Sequence, residues 1–579
     1  MKKLTTLVLV FFIFATASSQ CLPDGINFTT QEQIDSFQTD YPGCTEILGD
    51  VVINGDDISN LTGLNTINTF NGNLIVGGYS NGNNPLLTNL NGLDNLVTIN
   101  GNLEIIQSHS LISLTGFENL TSIGNVLRLQ NNFSLTDISS LSSITAIGAD
   151  INIYGNISLE SLTGLEGITK INGKIKIDFN DALINLSGLQ NIDSVQGVFW
   201  LQLNESLSSL QALSNLVYVE SLSISTNNSL VNLSGLEGLT SIDGYISVIQ
   251  NSGLLSLTGL ENIDSIGKSL YIQSNNSLPN LTGLEKIGII SERLWITNND
   301  VLATISGLDS LSILGGELLI QNNAYLQTIG QIGSITETGG WLEIYGNTSL
   351  LDLSGLENIT TIGAGLKISN NDNLQSIAGV ENINSITGPL IISWNNNLND
   401  ISALLNTTSI DGIIWITDNL MLTSLFGLDN IDAESISELY IYTNPNLETC
   451  EVQSICDYLS IPNGVVEIND NADGCNNQDE VEYACETVSI NNFTHESELS
   501  IHPNPFTTST TISYNLQKPT TVQISIFNHL GKQVEVIQQN QSTGKQQITW
   551  DATGQPSGVY YFRMQAGEQV ATGKLLLVK

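Results

Sequence analysis

Hydrophobic and polar positions follow one frame that recurs about every 24 residues along most of the chain. In the stretch Leu270–Ile290 the frame opens with the alternating triplet Leu270, Tyr271 and Ile272. Asn275 follows, and apolar residues then occupy every third position. This rhythm matches neither the period of an amphipathic helix nor a long strand. A fixed repeat of this length predicts a solenoid in which each coil contributes one short strand.

Two columns of residues mark the period. A glycine column runs from Gly92 to Gly427 in steps of 23 to 25 residues, with Ser140, Ala212 and Ala403 as exceptions. No single coil is long enough to bury its own apolar side. Neighbouring coils, stacked about 4.8 Å apart, must therefore supply the missing partner.

The second column carries asparagine at fifteen of sixteen positions from Asn84 to Asn444, with Ser108 as the exception. An asparagine at a tight bend can satisfy backbone groups that the turn removes from the strand pairing. It can also pair with the coils above and below. We predict a structural Asn ladder that has no catalytic or binding role. Its regular members are Asn132, Asn156, Asn180, Asn204, Asn227, Asn251, Asn275, Asn299, Asn323, Asn347, Asn371, Asn395, Asn419 and Asn444.

The frame L-x-I-x-x-N-x-x-L resembles the core of a leucine-rich repeat. The phrase LTGLENIDSIG at Leu257–Gly267 resembles bacterial relatives of the receptor L-domain. The resemblance covers roughly Val51–Leu447. It implies an all-β fold, a right-handed parallel β-solenoid, with a binding or interaction role, and it carries over no catalytic residues.

The first 20 residues have the features of a secretory signal peptide. Lys2 and Lys3 precede an apolar run at Leu4–Ala15, and small residues precede Gln20. The run is too short to span a membrane, and no other stretch approaches about eighteen uninterrupted apolar residues. We predict export from the cytoplasm and no transmembrane segment. Lipidation of Cys21 is disfavoured because Gln20 is bulkier than the small residue normally required before a lipidated cysteine.

All six cysteines lie outside the repeats, at the two open ends of the predicted solenoid. An even number in an exported chain indicates disulfide-bonded caps, which we place at residues 21–50 and 448–489 around repeats at 51–447. The first two cysteines form the expected first pair, whereas the last four allow three connectivities. Short helices are expected at Gln31–Gln38, after an N-cap at Thr29 or Thr30, and at Glu451–Leu459. The cysteines are Cys21, Cys44, Cys450, Cys456, Cys475 and Cys485.

The C-terminal cap contains one motif with the spacing of a calcium loop. Asn469–Gly474 followed by Glu480 has that spacing, with asparagine in place of the first aspartate. Cys475 lies inside the loop, and flanking helices are not evident from the sequence. A turn-rich cap is therefore the favoured interpretation, and calcium binding is the alternative.

Charge divides the chain into two parts. Of 57 acidic and 16 basic residues, 52 acidic and eight basic ones lie in residues 21–489, which carry a net charge of about −44. Such a field opposes binding to nucleic acid and to anionic membranes. It favours solubility and loose binding of divalent cations, and a solvated surface is the simpler explanation.

From about residue 490 the repeats give way to alternating strands separated by turn signals, which predict a small antiparallel β-sandwich at 490–579. The motifs PNPF, NHLGKQV, PSGVYYFR and GKLLLVK resemble the C-terminal sorting domain of the type IX secretion system of Bacteroidota. The resemblance implies handling by that machinery, passage across the outer membrane, removal of the tail, and surface attachment or release. A fibronectin-like adhesive module that stays on the protein is the alternative. The residues that carry the resemblance include Pro503, Asn504, Pro505, Gly558, Tyr560, Lys574 and Lys579.

Catalytic patterns are not evident in the sequence. The four histidines form no Ser/His/Asp grouping, and we find no metal-ligand cluster, phosphate loop or lone reactive cysteine. We therefore expect a protein that is not an enzyme and has no cofactor or metal. An enzyme related to β-helix polysaccharide lyases is the least favoured alternative, because the basic residues are scattered over different columns.

A surface is the better candidate for function. The strand position between the two core residues points outward, and three of the six tryptophans occupy it. Exposed aromatic rings on a rigid sheet suit sugar rings or peptide side chains, whereas the simpler explanation is that aromatic residues favour strands. The candidate ligand-binding residues are Trp200, Tyr271, Trp295, Trp415, Tyr440 and Tyr442.

Two classes of function are open. In the first, an exported rod presents this face to a glycan or a protein as an adhesion or recognition module. In the second, it is a passive spacer or surface-coat component whose repeats supply length, roughly 75–80 Å for sixteen coils.

Overall fold

The computed structural model describes residues 20–78, 83–330, 332–489, 499–528, 532–567 and 569–578. The predicted signal peptide lies outside the described residues, except for Gln20, which pairs with Glu46. The predicted fold class is confirmed: a parallel β-solenoid of about 19 turns is followed by antiparallel sheets.

One strand per coil builds the main sheet, and each strand pairs in parallel with the strand of the next coil. Because the strands pair in register, equivalent positions of adjacent coils lie side by side. The strands are Ile26–Phe28, Val51–Ile53, Leu74–Gly77, Leu103–Ile106, Leu127–Gln130, Ile151–Tyr154, Ile175–Asp178, Ser194–Gln202, Tyr218–Ser225, Ile246–Ile249, Leu270–Gln273, Leu294–Thr297, Leu318–Gln321, Leu342–Tyr345, Leu366–Ser369, Leu390–Ser393, Gly412–Thr417, Ile436–Tyr442 and Val466–Asn469.

Most coils contain a second strand of two residues, which lies a few residues before the main strand. These short strands also pair in parallel with their equivalents in the neighbouring coils. These strands are Gln20–Cys21, Glu46–Ile47, Thr69–Phe70, Thr98–Ile99, Ser122–Ile123, Ala146–Ile147, Lys170–Ile171, Ser241–Ile242, Ser265–Ile266, Ile289–Ile290, Ile313–Leu314, Glu337–Thr338, Thr361–Ile362, Ser385–Ile386 and Ser409–Ile410.

The core is the set of apolar residues that the repeat places at every third position. In the coil that begins at Leu270, the side chains of Leu278, Leu281, Leu284 and Ile287 are all fully buried. Each lies against its equivalents in the neighbouring coils, so the core is one continuous column along the solenoid. The apolar period of the sequence is therefore the packing period of the core.

Asparagine side chains close the bend after each main strand. The backbone N–H of Asn275 donates to Oδ1 of Asn299 in the next coil (3.0 Å), and its Nδ2 donates to the carbonyl oxygen of Val248 in the preceding coil (2.8 Å). Its own Oδ1 accepts from the N–H of Asn251 (3.1 Å). Each regular member of the ladder therefore links three coils through its side chain and its backbone N–H. The predicted Asn ladder is present from Asn84 to Asn444, with Ser108 at one rung.

The glycine column adopts two conformations. In most coils the glycine has a positive φ, near +114° at Gly259, where a Cβ atom would lie 2.1 Å from the carbonyl oxygen of Leu233. Ser140, Ala212 and Ala403, the exceptions in this column, lie instead in short 3₁₀ helices, as do Gly63 and Gly427. A residue with a Cβ is thus accommodated by tightening the chain into a 3₁₀ turn.

Most of the positive-φ coils have a second feature, in which the glycine N–H donates to the side chain two residues later. Gly164 donates to Glu166 (2.8 Å) and Gly379 to Glu381 (2.9 Å), for example. This contact recurs in many coils, so part of the negative charge of the solenoid satisfies backbone groups. The other such pairs are Gly92–Asp94, Gly116–Glu118, Gly188–Gln190, Gly235–Glu237, Gly259–Glu261, Gly283–Glu285 and Gly355–Glu357.

We expect Gly259→Ala to destabilise the solenoid by only about 1–3 kcal/mol, because the coil can move to the 3₁₀ geometry seen at Ala212. Adding Glu261→Ser, the residue that occupies the equivalent position in the Ala212 coil, should recover part of the loss. Guanidinium unfolding followed by circular dichroism measures both effects. A double variant no more stable than the single one would show that the two conformations are not exchangeable.

Disulfide-bonded caps cover both ends of the solenoid. Cys21 bonds to Cys44, as expected, and the four C-terminal cysteines pair as Cys450–Cys475 and Cys456–Cys485. Helix α1, Gln31–Asp40, begins at Thr30 in a capping box with Gln33 and ends two residues beyond its predicted end. Helix α2 is Gln453–Ser460. Helix α3, Gln478–Ser489, was not predicted from the sequence.

Two antiparallel sheets around a separate apolar core form the C-terminal part, as the strand pattern predicts. One sheet contains Ser500–His502, Ser509–Leu516 and Gly544–Asp551. The other contains Gln533–Gln541, Thr520–Asn528, Gly558–Ala566 and Gln569–Leu577, in that spatial order.

Candidate binding face on the solenoid

The outward position of each main strand forms a continuous column of side chains, which we call the strand face. Lys176 lies opposite Trp200, Tyr271 opposite Trp295, and Trp415 opposite Tyr440. The register extends unbroken from Glu104. The structure therefore places five of the six predicted aromatic residues in one column and Tyr442 two positions along its strand, opposite Thr417. The six residues form three groups.

The first group is the pair Tyr271 and Trp295. Their ring centres lie 5.2 Å apart at an interplanar angle of 74°, an edge-to-face arrangement. The guanidinium of Arg293 lies 5.8 Å from the Trp295 ring centre and 3.8 Å from the carboxylate of Glu317. The indole nitrogen Nε1 of Trp295 is buried and has no hydrogen-bond partner among the described residues. The pair is thus a rigid aromatic surface with one unused donor.

The second group surrounds Trp415. Its ring centre lies 4.9 Å from that of Tyr440, in a stacked arrangement, and 6.1 Å from that of Tyr442. The Trp415 indole N–H donates to the hydroxyl of Thr417 (3.2 Å), and the Tyr440 hydroxyl donates to Glu438 (2.8 Å). That bond to the Glu438 carboxylate raises the pKa of Tyr440. These contacts fix the orientations of the rings.

Trp200 is separated from the other predicted residues. Ser223 and Ser247 occupy the two positions between Trp200 and Tyr271. Trp200 is 37% exposed, while the other five predicted residues are only partly exposed. The ammonium nitrogen of Lys176 lies 5.6 Å from the indole ring centre of Trp200.

Sequence reasoning missed a second set of exposed aromatic residues. The residue before most ladder asparagines has a positive φ, and asparagine or glycine fills many of these positions. Phe179 and Trp394 occupy the same column with φ of 56° and 58°, although they are 39% and 54% exposed. Leu203 and Thr226 also occupy this column with positive φ, so the conformation belongs to the turn that most coils share. The signal in the sequence was a large aromatic residue directly before a ladder asparagine.

The calcium-like motif lies in the last coil of the ladder. Asn471 continues the ladder, because its Oδ1 accepts from Asn444 N–H (3.0 Å) and its Nδ2 donates to the Ile441 carbonyl oxygen (2.8 Å). The Glu480 carboxylate accepts from the N–H groups of Gly474 and Asn476, which lowers its pKa. The motif therefore encodes a turn whose side chains bind the backbone. In the described part of the chain, no group of three or more His, Cys, Asp or Glu side chains is placed to hold a metal ion.

The residues that suggested a sorting domain come together in the C-terminal sheets. Asn504 donates to the Lys574 carbonyl oxygen (2.7 Å) and accepts from the Leu576 N–H (2.7 Å). The Tyr560 hydroxyl donates to the carbonyl oxygen of Pro556 (2.8 Å), two residues before the strand that Gly558 begins. Asn504 thus ties the start of the domain to its last strand.

The two prolines of this set flank Asn504 in the chain. The Pro503 carbonyl oxygen accepts from the Thr510 hydroxyl (2.6 Å), and Pro505 follows Asn504 directly. Lys579 lies outside the described residues.

Residues 500–579 match the family described as secretion system C-terminal sorting domain. This domain, of the type IX secretion system, indicates export to the cell surface or the extracellular space. A search of curated proteins finds no match to the chain. Among the residues that the structure describes, no helix is both long enough and apolar enough to cross a membrane.

Proposed function

We propose that the exported chain is a non-catalytic recognition module whose strand face binds a glycan or a protein outside the cell. The observation that carries the proposal is the set of aromatic groups held at fixed geometry on a rigid parallel sheet, above all the Tyr271–Trp295 pair. Large aromatic side chains of defined orientation supply contact area at a low cost in conformational entropy. A relation to leucine-rich repeats and receptor L-domains is part of this proposal.

A passive spacer or coat component is the second candidate. The observation in its favour is that the Asn ladder and the core are complete in coils whose strand face carries no aromatic residue, such as those of Ser223 and Ser247. Those coils add length without adding a binding surface. In this case the aromatic residues only protect the sheet.

Changing both Tyr271 and Trp295 to alanine separates the two candidates. We expect binding of the full chain to its ligand on glycan and protein arrays to weaken at least tenfold, a loss of about 1.4 kcal/mol. The unfolding midpoint should change little, because both side chains lie outside the core. Tyr325→Ala is the matched control, since Tyr325 is 64% exposed and lies in a turn outside the strand face. Equal binding by the double variant and the control would leave the spacer function as the better explanation.

A further inference from the structure

A distinct cluster of side chains surrounds Lys176, beside Trp200. The Lys176 ammonium nitrogen lies 5.4 Å from the Tyr154 ring centre and 5.6 Å from that of Trp200. Phe179 packs edge-on against Tyr154, with ring centres 5.3 Å apart. Two aromatic rings therefore lie beside one cation, and a third ring packs against one of them.

Asp178 supplies an unused acceptor at the base of this cluster. Its side chain is only 5% exposed, and its Oδ2 lies 3.2 Å from the Lys176 ammonium. Its Oδ1 is buried and has no hydrogen-bond partner among the described residues. The nearby Phe179 N–H donates to the Gln202 carbonyl oxygen instead (3.1 Å). Burial raises the pKa of Asp178 despite the opposing effects of Lys176 and, to a smaller extent, of the nearby Phe179 N–H. A buried carboxylate oxygen without a donor costs free energy, which a donor from a ligand would recover.

Phe179 places an exposed ring beside this cluster. Its φ is 56°, and the equivalent turn position has a positive φ in other coils too, whether it holds glycine, as at Gly155, or a residue with a branched side chain, as at Leu203 and Thr226. Phe179 is 39% exposed. Because this turn accepts many residue types, the ring can be replaced by glycine without disturbing the core.

The chemistry around the cluster favours an uncharged, hydroxyl-rich ligand. Lys176 and Asp178 neutralise each other, and their in-register neighbours Asn152 and Gln202 carry neutral amides. The patch is thus locally neutral within a region of net charge about −44. A cationic ligand would find attraction along the whole solenoid, and an anionic one would be repelled by it. Sugar hydroxyls can donate to a carboxylate or an amide oxygen and accept from an ammonium or amide N–H, while sugar rings stack on aromatic faces.

We propose that Tyr154, Lys176, Asp178, Phe179 and Trp200 form a binding site for an uncharged glycan. This inference rests on the proposed recognition function and assigns its ligand class. On binding, the Lys176 side chain shifts outward and uncovers Oδ1 of Asp178. One hydroxyl of the sugar then donates to Oδ1, and a neighbouring hydroxyl oxygen accepts from the displaced ammonium. The sugar ring stacks on Trp200, and Phe179 closes the site on the side of Tyr154.

Calorimetric titration of the full chain tests the site, with cellohexaose, xylohexaose, laminarihexaose and mannohexaose as neutral probes and oligogalacturonate as the acidic comparison. At least one neutral probe should bind, and more tightly than oligogalacturonate. Trp200→Ala and Asp178→Asn should each weaken that binding by roughly tenfold or more. Phe179→Gly should also weaken binding, yet raise the denaturation midpoint, because glycine relieves the positive-φ strain.

Trp394→Gly is the matched control for Phe179→Gly, since it relieves the same strain in a distant coil. It should raise the midpoint and leave binding unchanged. If a neutral probe binds but only the Tyr271 and Trp295 substitutions weaken it, the site assigned here is wrong while the recognition function stands. If no neutral probe binds, or oligogalacturonate binds better, the ligand class is wrong. A protein ligand found on the array would then preserve the recognition function, and its absence would remove both.

Discussion

Replacing Asn275 with alanine should destabilise the solenoid by about 2–6 kcal/mol, because two buried backbone groups lose their partners at about 1–3 kcal/mol each. The change removes the donor to the Val248 carbonyl oxygen and the acceptor for the Asn251 N–H. Both sites are fully buried, so water does not replace the lost amide without entering the core. Guanidinium unfolding followed by circular dichroism measures the effect.

Asn276→Ala provides the control in the same coil. Asn276 follows Asn275 directly but is exposed, and we expect its replacement to change stability by less than about 0.5 kcal/mol. A similar loss for both variants would show that Asn275 acts through the local turn rather than through the ladder.

Deleting Gly573–Lys579 should abolish display of the protein at the cell surface and retain it in the periplasm. The deletion removes most of the strand Gln569–Leu577, including Leu575 and Leu577, which are buried in the sandwich core. It also removes both backbone groups that Asn504 bridges. Fractionation of the native host, with protease accessibility on intact cells, measures the distribution.

Val578→Ala is the control for the deletion, because Val578 is 49% exposed and adds little to the sandwich core. Its export should be unchanged. Surface display of the truncated chain at the normal level would contradict the assignment of the C-terminal strand to sorting.

Much of the coil could be predicted from the sequence, because the buried core and the buried bend each restrict which residue types can occupy them. An asparagine amide satisfies the buried bend in the ladder coils other than that of Ser108, so residues such as Asn251 and Asn275 recur at the repeat period. The last residue of the ladder, Asn471, was not predicted. It lies 27 residues after Asn444, in a motif that also fits a calcium loop. Helix α3 was not predicted either, because the residues before Gln478 are typical of turns.

The glycine column shows where pattern alone is insufficient. Gly259 and Ala212 align in the sequence, yet one has a positive φ and the other lies in a 3₁₀ helix. A Cβ atom excludes the positive-φ turn because of the backbone contact at 2.1 Å, so Ala212 must take the other geometry. Glycine permits the positive-φ turn without imposing it, since Gly427 lies in a 3₁₀ helix although Asp429 follows two positions later.

The contacts of the candidate binding residues also separate into those that the repeat period predicts and those that it does not. The repeat period predicts the Tyr271–Trp295 and Trp415–Tyr440 neighbours, because parallel strands in register carry equivalent residues side by side. The cluster of Tyr154, Lys176 and Phe179 joins three different columns. Its contacts depend on the directions of the side chains and on the positive φ of Phe179. The repeat period encodes neither the side-chain directions nor which residue occupies that turn.

The direction of the inter-coil hydrogen bonds has a mechanical consequence. Strand pairs and ladder amides are aligned with the solenoid axis, so tension along that axis separates one coil at a time instead of shearing the whole sheet. Each released coil of about 24 residues would lengthen the molecule by roughly 80 Å of extended chain. The bonds Cys21–Cys44, Cys450–Cys475 and Cys456–Cys485 limit such extension within both caps. A protein held at one end and pulled at the other would therefore yield from its middle, absorbing force gradually while its ends remain folded.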